Sequence, residues 1–349
     1  MTFWKGRLGI AFNLTLILLL LSACQKPEPS AQTLTESAPG QAHQEAHNND
    51  LLSPELPAQQ CRQHELALQI LGSGGPIADD ERASSAYVIW HRGKSVALID
   101  FGGGAFARFG AAGADLAELE FIALSHFHTD HSAGIPALMK SAYFSQRERP
   151  LTLLGPSGSP NLSATKPGQF PALPEYLNSL FAPGRGAFRY LAGLLDGSDG
   201  LFELSALTVD ASEGQQSALE VPGPIKLSAL GVHHGIVPAL AYRLEVDGRT
   251  IVFSGDQSRF NPAMASFSRG ADVLVAHIAI PQDAGNIAKR LHRTPESWGQ
   301  LAAEAEADEL VLSHWMQRSL REQAENVAWV QKNYSGSVHI ASDLDCIVL

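Results

Sequence analysis

The residues that most constrain this chain stand together: Ser125-His126-Phe127-His128-Thr129-Asp130-His131, directly after the apolar run Phe121–Leu124. Three imidazoles and a carboxylate this close cannot face a core, because burying so many polar groups without partners is strongly unfavourable. In a loop at a strand end they can converge on a cation instead. Imidazole plus carboxylate, with no thiol nearby, is the donor set of zinc or a similar divalent ion. A solvated surface cluster is the alternative reading. The same placement recurs further along. Ile225–Leu230 runs into Val232-His233-His234-Gly235, Thr250–Phe253 into Ser254-Gly255-Asp256, and Leu310–Leu312 into Ser313-His314. Four apolar strands ending on one rim would bring enough ligands together for two ions.

The rest of the pattern reads as one α/β domain over residues 61–349. Further β-rich runs occur at Leu66–Leu71, Tyr87–Trp90, Val96–Ile99, Leu151–Leu154, Tyr242–Val246 and Val273–Ala276, and Asp247-Gly248 marks a hairpin. Thr294 is placed to cap a helix with Pro295 in its first turn and Trp298, Leu301, Ala302 and Ala305 on one face. Residues 155–224, rich in Gly, Pro and Ser, are expected to form an irregular cap with short helices around Tyr176–Phe181 and Phe188–Leu195. At 349 residues and 45% hydrophobic, the chain has ample material for a buried core.

Lys5 and Arg7 precede an apolar run from Leu8 to Leu21, which ends in Leu21-Ser22-Ala23-Cys24. A bilayer span needs about 20 apolar residues. This run is shorter and is broken by Gly9, Asn13 and Thr15, so residues 1–23 read as a signal peptide. The Leu-Ser-Ala-Cys ending resembles a bacterial lipobox, which implies cleavage before Cys24, a lipid on its thiol and attachment to a membrane. An ordinary signal peptide with a chance cysteine is the other reading. Gln25, by analogy with bacterial lipoproteins, suggests the outer membrane facing the periplasm. Residues 24–60 read as the lipidated cysteine and a flexible linker, with His43 and His47 as solvated side chains. Removing residues 1–23 takes away Lys5 and Arg7 and no acid, so the net charge of −11 becomes −13. An acidic chain repels phosphate backbones, which leads to the expectation of no nucleic acid partner. Cys61 and Cys346 would be an even pair in an oxidising compartment, but whether they bond or remain free thiols is open, since their separation cannot be read from sequence.

Taken in order, His-x-His-x-Asp-His, a lone His, the Asp of Ser-Gly-Asp and a final His resemble the metallo-β-lactamase superfamily. The resemblance runs from Leu71-Gly72-Ser73-Gly74-Gly75-Pro76 through Leu98-Ile99-Asp100-Phe101-Gly102 to Leu312-Ser313-His314. The opening Leu-Gly-Ser-Gly-Gly-Pro, the run Pro238–Arg243 and His292 are most similar to the ribonuclease Z/arylsulfatase/phosphodiesterase-like branch. What it implies is an α/β fold, a four-layer αβ/βα sandwich with metals at the sheet edge. It implies two divalent ions, zinc ahead of manganese or iron, because diiron relatives carry Glu where His128 stands. One ion would take His126, His128 and His234, the other Asp130, His131 and His314, with Asp256 bridging them. His233 is left to a supporting or core role, Asp100 to orienting a ligand or loop, and His277 to the core or the pocket wall.

The two residues given a catalytic role are His292, which relatives use to protonate the leaving group, and Asp130. Two such ions hold a water with its pKa lowered towards about 7 and take up charge developing on the attacked group. The expected substrates are small-molecule phosphodiesters or aryl sulfates. Lactone or β-lactam hydrolysis is the alternative, and a non-catalytic surface lipoprotein is a more distant one. Relatives that process transfer RNA carry an arm between the third and fourth metal motifs. A tight hairpin through Asp247-Gly248 takes its place here, which adds to the expectation of no nucleic acid. Gly102-x-Gly104-x-x-Ala107 fits a dinucleotide fingerprint formally, but a strand and turn precede its strand, which a Rossmann unit does not allow.

Overall fold

Each apolar run read from the sequence is a strand, and parallel pairing decides where the strands end. The computed structural model describes residues 57–159, 170–258 and 261–349. The expected signal peptide, Cys24, His43, His47 and most of the expected linker lie outside the described residues.

Fourteen strands among the described residues form two sheets. The first contains β1 (Leu66–Gly72), β2 (Ala86–His91), β3 (Lys94–Phe101), β4 (Phe121–Ala123), β5 (Leu151–Pro156) and β6 (Leu204–Val209). The second contains β7 (Gln216–Leu219), β8 (Lys226–His234), β9 (Val237–Val246), β10 (Arg249–Phe253), β11 (Val273–His277), β12 (Glu309–Ser313) and β13 (Ser337–Ile340). The last strand, β14 (Cys346–Val348), returns to the first sheet beside β1. In the first sheet β3, β4, β5 and β6 run parallel. In the second, β10, β11, β12 and β13 run parallel. Two antiparallel pairings, β8 with β9 and β9 with β10, turn β8 the same way as β10. The C-terminal ends of β8, β10, β11 and β12 therefore share one rim.

The layers follow from what each face buries. Leu68, Ile70, Tyr87 and Ile89 of the first sheet meet Leu240, Tyr242, Phe253 and Val275 of the second between the sheets. The outer face of the first sheet packs on α1 (Ala105–Ala111), α3 (Ile135–Lys140) and α4 (Leu173–Phe181), with α2 (Thr129–Ser132) at its rim. The outer face of the second is covered by α5 (Pro262–Phe267), α7 (Pro295–Glu304) and α9 (Gln323–Gln331). Two short helices, α6 (Asn286–Lys289) and α8 (Gln317–Leu320), lie in the connections after β11 and β12. Strands such as β2, buried along their whole length, read as continuous apolar runs because both faces are covered. The architecture is the four-layer αβ/βα sandwich.

Several details differ from the sequence reading. Thr294 occupies the N-cap of α7 but makes no side-chain capping bond. A 3-10 turn at Pro57–Gln63 overlaps the end of the segment expected as linker. The segment expected as an irregular cap holds α4 and a 3-10 turn at Arg189–Leu195, and also β6 and β7, one edge strand of each sheet. The Asp247-Gly248 hairpin, by contrast, is as expected: it joins β9 to β10 directly, with both residues at positive φ (49° and 78°).

Cys61, in the first turn, and Cys346, in β14, form a disulfide with their Cα atoms 5.5 Å apart, across 285 residues of sequence. A cross-link of this kind typically stabilises by about 2–4 kcal/mol, chiefly by restricting the unfolded chain. Cys346→Ser should lower the unfolding free energy by about that amount in a denaturant titration. Unchanged stability would mean that the bond does not constrain the unfolded chain.

Candidate metal centre

Two groups of side chains meet at the shared rim. His126 and His128 follow β4, and His234 is the last residue of β8. One donor nitrogen from each lies within 4.8 Å of the others. His131 comes from α2, Asp256 from the loop after β10 and His314 from the residue after β12. Together with His277 they form a second group, whose donor atoms also lie within 4.8 Å of one another. His314 Nε2 lies 3.2 Å from Asp130 Oδ2 and 3.3 Å from His131 Nε2. Asp256 stands between the groups, with Oδ2 3.6 Å from His234 Nε2 and 3.8 Å from His131 Nε2. All seven residues read from the sequence as ligands are thus brought together.

Hydrogen bonds behind the ligands fix which nitrogen faces inward. His131 Nδ1 donates to Asp100 Oδ2 at 2.7 Å, and His234 Nδ1 donates to the Leu291 carbonyl at 2.8 Å. Each leaves Nε2 pointing to the centre, the usual arrangement behind a metal-binding imidazole. Asp100 also receives the Ser125 amide (2.6 Å) and hydroxyl (2.8 Å), so it anchors the loop that carries the ligands. Asp100 and His314 both hold left-handed backbone conformations (φ 53° and 58°), which non-glycine residues adopt only where surroundings impose them. Gly102 explains the glycines after β3. A Cβ there would fall 2.1 Å from the Asp130 carbonyl oxygen, so the glycine allows α2 to pack against the strand end.

The electrostatics call for cations. Burial holds His126, His128 and His234 below the ordinary histidine pKa, which leaves them neutral with lone pairs available. Burial also lowers His131 and His314, but the surrounding carboxylates outweigh it. Asp100, Asp130 and Asp256 raise His131 well above its ordinary value, and Asp256 and Asp130 raise His314. Burial would raise Asp256, yet the imidazoles of His314, His292 and His131 hold it well below the carboxylate range. Buried carboxylates that keep protons on neighbouring imidazoles would be balanced equally well by metal ions. Among the described residues, the buried His126 Nε2 and His234 Nε2 also have no hydrogen-bond partner. This donor set fits divalent metals, zinc among them.

The remaining candidates divide. His292 borders a cavity of about 520 Å³ together with Pro76, Phe127, Leu291, Met316 and Arg318. Its Nδ1 lies 3.7 Å from Asp256 Oδ2. Burial lowers its pKa to about 3. His233 takes neither the supporting nor the core role expected of it; it pairs with Glu213 at 3.3 Å beside a different cavity. His277 is buried against Asp256, its Nδ1 2.7 Å from Oδ1. Sequence reasoning gave no role to Ser125, although it heads the His-rich motif, nor to Tyr87 and Arg318, which belong to no recognisable spacing.

Residues 97–315 match the family described as the Beta-lactamase superfamily domain. A ribonuclease Z of Methanosarcina mazei is 29% identical over 275 residues, covering 71% of this chain and 87% of that protein. Among solved structures, the metallo-beta-lactamase fold protein YhfI from Bacillus subtilis aligns with a TM-score of 0.60 at 20% identity, over 81% of this chain and 99% of its own. The short form of human tRNase Z aligns with a TM-score of 0.59 at 20% identity, over 80% and 98%. Relatives named for ribonuclease activity overturn the expectation that nucleic acid is excluded. The physical fault lay in using net charge, which averages over the whole surface. A phosphate meets the local field, and here that field would come from the cations and from Arg318 at the cavity wall.

His128→Ala should lower the bound metal by about one equivalent in elemental analysis of the purified protein, while His233→Ala should leave it unchanged. Equal metal content in the two variants would contradict this ligand set.

Proposed function

This chain belongs to the beta-lactamase superfamily as a hydrolase, and we propose that it cleaves phosphodiester bonds, RNA among its substrates, at a centre of two divalent ions. The observation that carries this reading is the convergence of His126, His128 and His234 on one side of Asp256 and His131, Asp130 and His314 on the other. When bound, two such ions supply a reactive water near neutral pH and positive charge for the oxygens of the attacked phosphate.

The chain's own residues do the rest. Asp256 separates the two imidazole groups and keeps them in register. Pro76, Phe127, Leu291 and Met316 give the cavity apolar walls, and Arg318 adds a cation beside them. The Arg318 Nε donates to the Ala279 carbonyl at 2.8 Å, which fixes the side chain, and its guanidinium suits a phosphate oxygen. His292 is neutral at pH 7 because burial depresses it. It can take a proton from the attacking water at Nδ1 and return it to the departing alkoxide, so the proton count closes within one turnover. Aryl sulfate or acyl substrates would use the same parts. The phosphodiester reading is preferred because the relative covering 71% of this chain is named a ribonuclease.

Export, with a lipid on Cys24, belongs to the same proposal. The Cys61–Cys346 bond supports it, since such bonds persist in oxidising compartments.

Zinc-loaded protein should hydrolyse bis(p-nitrophenyl) phosphate and a short RNA, lose the activity to a chelator and regain it with zinc. His292→Ala should keep its metal and lose about 10²- to 10⁴-fold in kcat. Turnover of p-nitrophenyl sulfate, a lactone or a chromogenic cephalosporin, with none of either phosphodiester, would refute the proposal.

A further inference from the structure

Asp256 is held from behind by residues outside the expected ligand set. His277, the last residue of β11, is buried with both ring nitrogens engaged. Its Nδ1 lies 2.7 Å from Asp256 Oδ1, and its Nε2 lies 3.1 Å from the Tyr87 hydroxyl. Tyr87 belongs to β2, in the opposite sheet, so this contact crosses the interior of the sandwich. The same hydroxyl is 2.8 Å from Ser313 Oγ, next to His314. The Tyr87 ring packs on Phe253 with centroids 5.2 Å apart, and Trp298 Nε1 donates to the His277 carbonyl at 3.1 Å. Ring and backbone are therefore both fixed.

The proton assignment follows from what each group can do. An ionised carboxylate only accepts, so His277 Nδ1 carries the imidazole hydrogen. Nε2 is then an acceptor; the single Tyr87 phenol hydrogen goes to it, and the Ser313 hydroxyl, which can rotate, donates to the phenol oxygen. The carboxylate of Asp256 is held through Oδ1, which turns Oδ2 towards His234 Nε2 (3.6 Å), His131 Nε2 (3.8 Å) and His292 Nδ1 (3.7 Å).

We propose that Tyr87 is a positioning residue that acts through His277 to fix the carboxylate of Asp256, and thereby sets the metal affinity of the centre. The inference rests on the reading of this cluster as a metal site. Nearness alone would also permit His277 to be a ligand, since it groups with His131, Asp256 and His314. What separates it is what its nitrogens meet: His277 Nε2 faces the Tyr87 phenol and Nδ1 the far oxygen of Asp256, whereas the inward Nε2 atoms of His126 and His234 have no partner among the described residues and those of His131 and His314 meet only each other and the rim carboxylates.

Tyr87→Phe removes one oxygen and keeps the ring against Phe253. Zinc affinity is measured by competition with a chromogenic chelator, with circular dichroism and the melting temperature of the metal-free protein as checks on the fold. The expected result is two equivalents at saturation, with at least one bound about 10- to 100-fold more weakly than in the wild type. The kcat should fall by about as much while KM stays near its wild-type value. His277→Gln should weaken binding similarly, and the double variant no more than His277→Gln alone, because the two residues act in series. Tyr334→Phe removes another buried hydroxyl, one bonded to the Ala307 and Asp308 carbonyls, and should leave zinc affinity unchanged. Wild-type affinity in folded Tyr87→Phe would overturn the inference, as would additive losses in the double variant. Loss of a whole equivalent in His277→Gln alone would make His277 a ligand and overturn it too. Failure of the wild-type protein itself to bind zinc would instead overturn the underlying reading of the site.

Discussion

Three carboxylates, Asp100, Asp130 and Asp256, are buried within a shell of imidazoles where two sheets meet, and the rest of the rim is organised around them. An uncompensated buried carboxylate is strongly unfavourable. In this protein compensation comes from hydrogen bonds at Asp100, and from raised imidazole pKa values where Asp130 and Asp256 face His131 and His314. Such a constellation gains by exchanging protons for metal ions, since a divalent cation brings more charge with fixed directions. The left-handed backbone at Asp100 and His314 and the close approach of Gly102 to the Asp130 carbonyl show how firmly the fold holds these positions.

Topology makes the arrangement reproducible. A parallel strand delivers its next residue to a predictable edge, and β4, β10 and β12 each carry their ligands just past an apolar run, while β8 carries His234 as its own last residue. Between the sheets, Tyr87 packs on Phe253 and reaches His277, which in turn bonds to Asp256. The core that holds the sheets together and the groups that hold Asp256 are thus partly the same residues.

Much of this was legible because it is local. Period and apolarity marked ten of the strands and the His and Asp residues at their ends, and the family resemblance chose the seven ligands among them. The short edge strands β6, β7, β13 and β14 escaped, since their residues are only partly buried and lack a continuous apolar run. The roles of His277 and Tyr87 could not be read at all, because a hydrogen bond between residues 190 positions apart leaves no mark in spacing. The same holds for the Cys61–Cys346 pairing. Net charge misled in the opposite way: it was easily read, but it described the whole surface and not the field at the cavity.

The central claim is that these side chains close around two ions. Anomalous diffraction at the zinc absorption edge, from crystals grown with the metal, tests it most directly. Two peaks are predicted in each chain, one facing His126, His128 and His234, the other facing Asp130, His131 and His314, with Asp256 between them. A single peak, or zinc bound elsewhere while this cluster holds only solvent, would contradict the account.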